Sequence, residues 1–153
     1  MANFKVIGKP QPRLDGPDTV SGKARYTVDV VLPGALHVKL LRSPLAHARI
    51  RRIDTRPAKA LAGVAAVLTA NDVPAKRFGS SLQDEPIFAV GKVRYIGDVI
   101  AAVAAENEQI AEQAIALIDC QLEELPAALT TDEALRENAS LVHDQLHAYR
   151  MNS

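Results

Sequence analysis

Residues 92–125 read KVRYIGDVIAAVAAENEQIAEQAIALIDCQLEEL, and their patterning decides the fold. KVRY alternates as a short strand and Gly97 bends it. The run that follows is nearly continuously apolar, which predicts a strand buried on both faces. Asn107 then stands where a helix would be capped, with Glu108 and Gln109 suited to its positive end. Ile110, Ala111, Ala114, Ile115 and Ile118 make one helical stripe. DCQLEEL reads as a further strand, ended by Pro126. The sequence is therefore of α+β class.

Outward from this block, TTDEALRE opens a short helix with Thr130 and Glu133 at capping-box spacing. Upstream, residues 70–91 carry no sustained period and read as a long loop, of the kind often found at functional rims. VAAVLT is a strand, and TRPAKALAG a short helix that Thr55 can cap and Gly63 can close. ARIRRID is another strand. KARYTVDVVLPGALHVKLLRSP reads as two strands around Leu32-Pro33-Gly34-Ala35, where Pro then Gly is the type II turn signature. Tyr26, Val28 and Val30 would alternate on the first of these. The opening 22 residues, with Pro10, Pro12, Asp15-Gly16-Pro17 and Gly22, read as an extended arm with turns.

Bulk properties narrow the function. The chain has 153 residues, with 18 basic and 18 acidic side chains and no formal net charge. A nucleic-acid binder would show a basic excess. No apolar run is long enough to span a bilayer, and MANFKVIGKP lacks the apolar core of a signal peptide. Tryptophan is absent and aromatics make up 4%, so the core must be aliphatic. The single cysteine, Cys120, excludes an internal disulfide, fits a reducing cytoplasm and reads as a small apolar filler.

Several groups invite a chemical reading. RSPLAHARI, residues 42–50, brings Arg42, Ser43 and His47 together, but catalytic partners usually meet through the fold. Its polar residues read as turn chemistry, and His37 and His47 as hydrogen-bonded structural histidines. His143 and His147 stand four apart with Asp144 beside His143, yet a metal centre needs a third ligand, so no metal is expected. Glu123 and Glu124 are adjacent and face opposite sides of a strand. Arg42, Arg49, Arg51, Arg52 and Arg56 form the densest basic stretch. It reads as an exposed strand guarded by charge against edge pairing or, as a functional alternative, as the rim of an interface with a protein partner.

Four segments, taken in order, carry a resemblance: VIGKPQPRLDGPDTVSGKARYTVDV, LPGALHVKLLRSPLAHARIRRIDT, LAGVAAVLTANDVP and the block from Lys92 to Leu135. They resemble the N-terminal α/β-hammerhead domain of the molybdenum-binding large subunit in the xanthine dehydrogenase and aldehyde oxidase family. Carbon monoxide dehydrogenase and 4-hydroxybenzoyl-CoA reductase large subunits share that domain. The likeness runs from about residue 6 to about residue 144 and implies a hammerhead with mixed sheet and two main helices. It further implies an arm over 1–22, the domain over 23–144 and a tail over 145–153.

The resemblance implies a cytoplasmic parent enzyme that uses molybdopterin, iron–sulfur clusters and FAD. The family's catalytic glutamate and pterin-contacting segments lie C-terminal to this domain, so no catalytic, cofactor-binding or metal residue carries over. The expected role is structural, as a truncated or separately encoded piece. Its partners would be the remainder of the large subunit and the other subunits, with self-association when isolated. No nucleic-acid or membrane partner is expected. The competing class is a stand-alone carrier module, for which Lys92 beside Gly91 is the nearest candidate lysine. Phe78 to Ala89 is the stretch expected to vary with substrate, if it rims the entrance.

Overall fold

The computed structural model describes residues 5–143 apart from Ser81, in two units that divide between Ala35 and Leu36. The first holds a short helix, α1 (Gly16–Val20), and a 3-10 turn over Thr27–Asp29. The expected arm is thus not extended throughout, and no strand forms where Tyr26, Val28 and Val30 alternate. The physical reason is local. The Tyr26 N–H donates to the Asp29 carboxylate (2.9 Å) and the Asp29 N–H to the Tyr26 carbonyl (3.0 Å), closing a turn. The type II turn is borne out: Gly34 has φ +79° and the Ala35 N–H donates to Leu32 O (3.1 Å). None of the described residues up to Ala35 is buried.

The second unit is built from β1 (His37–Arg42), β2 (Ala48–Asp54), α2 (Arg56–Lys59), β3 (Val64–Thr69), β4 (Arg77–Phe78), β5 (Glu85–Pro86), β6 (Lys92–Val93), β7 (Val99–Ala105), α3 (Glu108–Ala116), β8 (Asp119–Glu124) and α4 (Thr131–Ala134). The α+β hammerhead architecture is borne out. The strands lie not in one mixed sheet but in three, ordered β1-β7-β3, β6-β2-β8 and β4-β5, and every described pairing is antiparallel. The expected loop over 70–91 contains the two-residue strands of the smallest sheet.

β7 is the axis of the unit. As the centre of its sheet it is buried along most of its length, with Ala101 and Val103 on one face and Ile100 on the other. Ala101 and Val103 join Val67, Ala58, Ala114 and Ile118 in one core cluster, so α2 and α3 cover that face. Ile100 joins Ala48, Ala89 and Val93 in a second, against the β2 sheet. Leu41 and Ile53 pack on both. Full burial of such aliphatic side chains stabilises by roughly 1.5–3 kcal/mol each, the dominant favourable contribution where aromatics are scarce.

α3 forms as its stripe predicts, with Asn107 Oδ1 accepting the Ile110 N–H (2.8 Å). α4 carries the expected capping box: Thr130 Oγ1 accepts the Glu133 N–H (3.2 Å), and the Glu133 carboxylate accepts the Thr130 N–H (3.3 Å). Gly63 has φ +85°, a conformation that favours glycine, and a Cβ there would lie 2.6 Å from Ile110 Cδ1, the end of a side chain that would have to shift.

Candidate functional site

The chain crosses from β1 to β2 through residues 43–47, and there the structure gathers its buried polar side chains: Ser43, His47 and Asp98. In type they are a serine, a histidine and an aspartate, so their geometry matters. Ser43 Oγ donates to Leu45 O (2.8 Å) and accepts the Leu45 N–H (3.1 Å). His47 Nδ1 lies 2.7 Å from Pro126 O, so Nδ1 carries the proton and the ring is held against the end of β8. The Asp98 carboxylate accepts the Arg94 N–H (3.0 Å). No hydrogen bond among the described residues joins these side chains to one another, so they are not a nucleophile, base and orienting acid.

Their work is anchoring. The Ser43 N–H donates to Asp98 O (2.9 Å) and the Gly97 N–H to Ser43 O (2.8 Å), which staples the crossing to the bend before β7. The Arg42 guanidinium donates to Gly97 O (2.8 Å), and the Leu125 N–H to His47 O (2.9 Å). His47 is thus hydrogen-bonded, as expected of it. Burial pushes the Asp98 carboxyl above the usual carboxylate range, opposed by the Arg94 backbone N–H. Sequence reading missed Asp98; its signal was an acid at the head of an apolar strand, directly after a bend glycine.

The arginines separate. Arg51 pairs with Glu123 across β2 and β8, while Arg52 and Arg56 both pair with Asp54. Arg56 beside it holds the Asp54 carboxyl far below the ordinary range. Arg49 lines a cavity of about 410 Å³ with His47, Lys92 and Arg94. The stretch is therefore not one continuous cationic surface. β2 is also no simple edge strand, since it runs between β6 and β8. Only Ala48 and Arg49 pair with β6, however, and a bulge follows between Ile50 and Arg52. The charge-guarded reading applies to that open flank alone.

The remaining candidates are quickly placed. Lys92 lies in β6 with Nζ donating to Leu141 O (3.0 Å), which is not the exposed hairpin tip a carrier lysine needs. Cys120 packs on the second core cluster, and burial pushes its thiol up, so little thiolate forms. His143 pairs with Asp84 (3.2 Å), while Asp144 and His147 lie outside the described residues. Among the described residues no group of three His, Cys, Asp or Glu side chains could hold a metal.

The same residues can be tested against molybdopterin. Among the described residues, the buried side-chain nitrogens and oxygens without a partner are His47 Nε2 and Arg94 Nε, both closed to solvent. In the cavity beside Arg49 the Lys92 ammonium and an Arg94 guanidinium nitrogen already donate to carbonyls of the chain. This is not a cradle of open donors, and the described residues do not fit the group.

Comparison with known proteins gives the family. The family model described as "Aldehyde oxidase and xanthine dehydrogenase, a/b hammerhead domain" matches residues 21–126. The chain is 44% identical over 141 residues to a probable xanthine dehydrogenase subunit from Bacillus subtilis, covering 91% of this chain and 19% of that protein. It is 35% identical over 150 residues to the nicotinate dehydrogenase large molybdopterin subunit of Eubacterium barkeri, covering 97% of this chain and 35% of that one. The crystal structure of quinoline 2-oxidoreductase from Pseudomonas putida 86 superposes with a TM-score of 0.85 at 38% identity, over 94% of this chain and 19% of that chain. The chain thus spans a minor part of each relative. By sequence and by fold, the chain belongs to the a/b hammerhead domain family of the aldehyde oxidases and xanthine dehydrogenases.

Proposed function

We propose that this chain is a non-catalytic structural and assembly domain of the large subunit of a molybdenum-dependent hydroxylase or dehydrogenase. The observation that carries the reading is the crossing at residues 43–47, where Ser43, His47 and Asp98 are each engaged by backbone groups. Nothing in that arrangement activates a nucleophile or moves a proton. When bound elsewhere in the subunit, molybdopterin supplies the redox chemistry, and iron–sulfur and flavin centres of the same complex pass electrons on. This domain holds the surrounding polypeptide in place. The hammerhead proper is residues 23–144, working in the cytoplasm; no described helix is long and apolar enough to cross a membrane.

The test has two arms. The purified chain is expected to contain far less than one equivalent of molybdenum or pterin by elemental and fluorescence analysis. The chain, tagged and recovered from its native source, is expected to carry peptides of a molybdopterin-binding large subunit. Stoichiometric cofactor in the chain alone, or recovery without any such polypeptide, overturns the reading.

A further inference from the structure

The β1-β7-β3 sheet has two faces: α2 and α3 cover one, while on the other the second core cluster covers the Ile100 end and leaves the flanking strands open. The register aligns Val38, Ala104 and Ala66 in one row and Leu40, Ala102 and Leu68 in the next, all on the face opposite α3. The α3 face carries Lys39, bound to Glu108 and Glu112, and the core residues Val67, Ala101 and Val103. The outer face is apolar at all of these positions, yet Val38 is 58% exposed, Leu40 39% and Leu68 40%. Val38, Leu40 and Leu68 form apolar flanks open to water beside the buried Ala102, a small candidate contact surface.

We infer that this face is the seat of one apolar-faced helix from the rest of the large subunit, an inference that rests on the function proposed above. The shape argues for a helix. Alanine forms the floor along β7, with Val38 and Leu40 on one flank and Leu68 on the other. Two strand spacings separate β1 from β3, roughly 10 Å, which is close to the width of a helix. The size argues for the occupant. Three strands by two rows present on the order of 200 Å², against about 800 Å² per partner in a stable complex of separate proteins. A second copy of this chain would gain too little here. A segment of the same polypeptide, held near by its tether, does not need a large interface. The relatives supply such polypeptide, since the chain covers 19% of the Bacillus subtilis protein and 35% of the Eubacterium barkeri subunit.

The experiment reads thiol accessibility. In a Cys120→Ala background, a single cysteine is placed by Leu68→Cys or, independently, by Val38→Cys, with Gln113→Cys on exposed α3 as control. Alkylation rates are compared in the 153-residue chain and in the complete large subunit carrying the same changes, after circular dichroism shows each variant folded. In the chain alone all three sites should react as exposed thiols at every protein concentration. In the large subunit the first two should slow at least tenfold while the control stays fast. Assembly with Leu68→Cys and Val38→Cys still reactive overturns this inference alone. Protection already present in the isolated chain also overturns it, whether concentration-dependent, as for a second copy, or constant, as for cover by the chain itself. If the domain assembles into no large subunit, the proposed function falls with it.

Discussion

Val31 and Ile100 are both β-branched residues in apolar stretches, yet Val31 is 86% exposed and Ile100 is 1% exposed. The difference separates the unit ending at Ala35 from the unit beginning at Leu36. In the first, short-range hydrogen bonds close turns and bury nothing. In the second, strands distant in sequence pair around β7 and bury both of its faces. An apolar, β-prone run becomes a strand only where a partner strand is available; otherwise the nearest carboxylate or carbonyl captures its backbone.

The comparison can be broken by substitution. The largest effect should come from Ile100→Ala, which leaves a cavity in the second core cluster and should cost about 3 kcal/mol in urea denaturation. A cost below about 1 kcal/mol would mean the second unit is loosely packed. Gly63→Ala should cost about 1–2 kcal/mol, since φ is +85° and Ile110 must give way. Gly34→Ala shares the positive φ but meets open space, so the difference between the two measures the contact with α3. Asn107→Ala removes the α3 cap and should cost about 1 kcal/mol.

Asp98→Asn sharpens the contrast through pH. A carboxyl whose folded pKa is raised contributes stability fully present below the unfolded value near 3.8, and loses it as pH rises through the raised value. The substitution keeps an acceptor for the Arg94 N–H without the buried charge. It should therefore be neutral or slightly stabilising at pH 7 and should remove the loss of stability that sets in as pH rises above the ordinary carboxylate value. A large loss at pH 7 would show that the charge itself is needed. The smallest effect should be that of Val31→Ala, within about 0.5 kcal/mol. If it costs as much as Ile100→Ala, the first unit has a core of its own.

What could be read from the sequence was local. The α3 stripe, the Asn107 cap, the Thr130–Glu133 box and the Gly34 turn each depend on residues within a few positions, and each is found. What could not be read depends on distance along the chain. Whether β2 is central or at an edge is decided by β8, which pairs Arg49 with Glu123. The lost strand at Tyr26–Val30 is the same lesson in reverse, because periodicity signals a face and not the presence of a partner. At the candidate site, the anchoring roles of Ser43 and His47 were foreseeable from Pro44 and the turn. Asp98 had only a weak signal, its place between a bend glycine and an apolar strand, and its burial depends on segments distant in sequence.

The strand order also sets a timetable for synthesis. β2 ends at Asp54 and pairs with β8, which begins at Asp119. At roughly 5–20 residues per second, the roughly 65 residues between them take about 3–13 s to emerge. Until β6 emerges β2 is an unpaired strand on a nascent chain, and its stretch beyond Arg49 waits for β8 through the whole interval. Arg49, Arg51 and Arg52 then serve before folding as well as after it, because like charges at close spacing keep the waiting strand from pairing with its counterpart on a neighbouring chain.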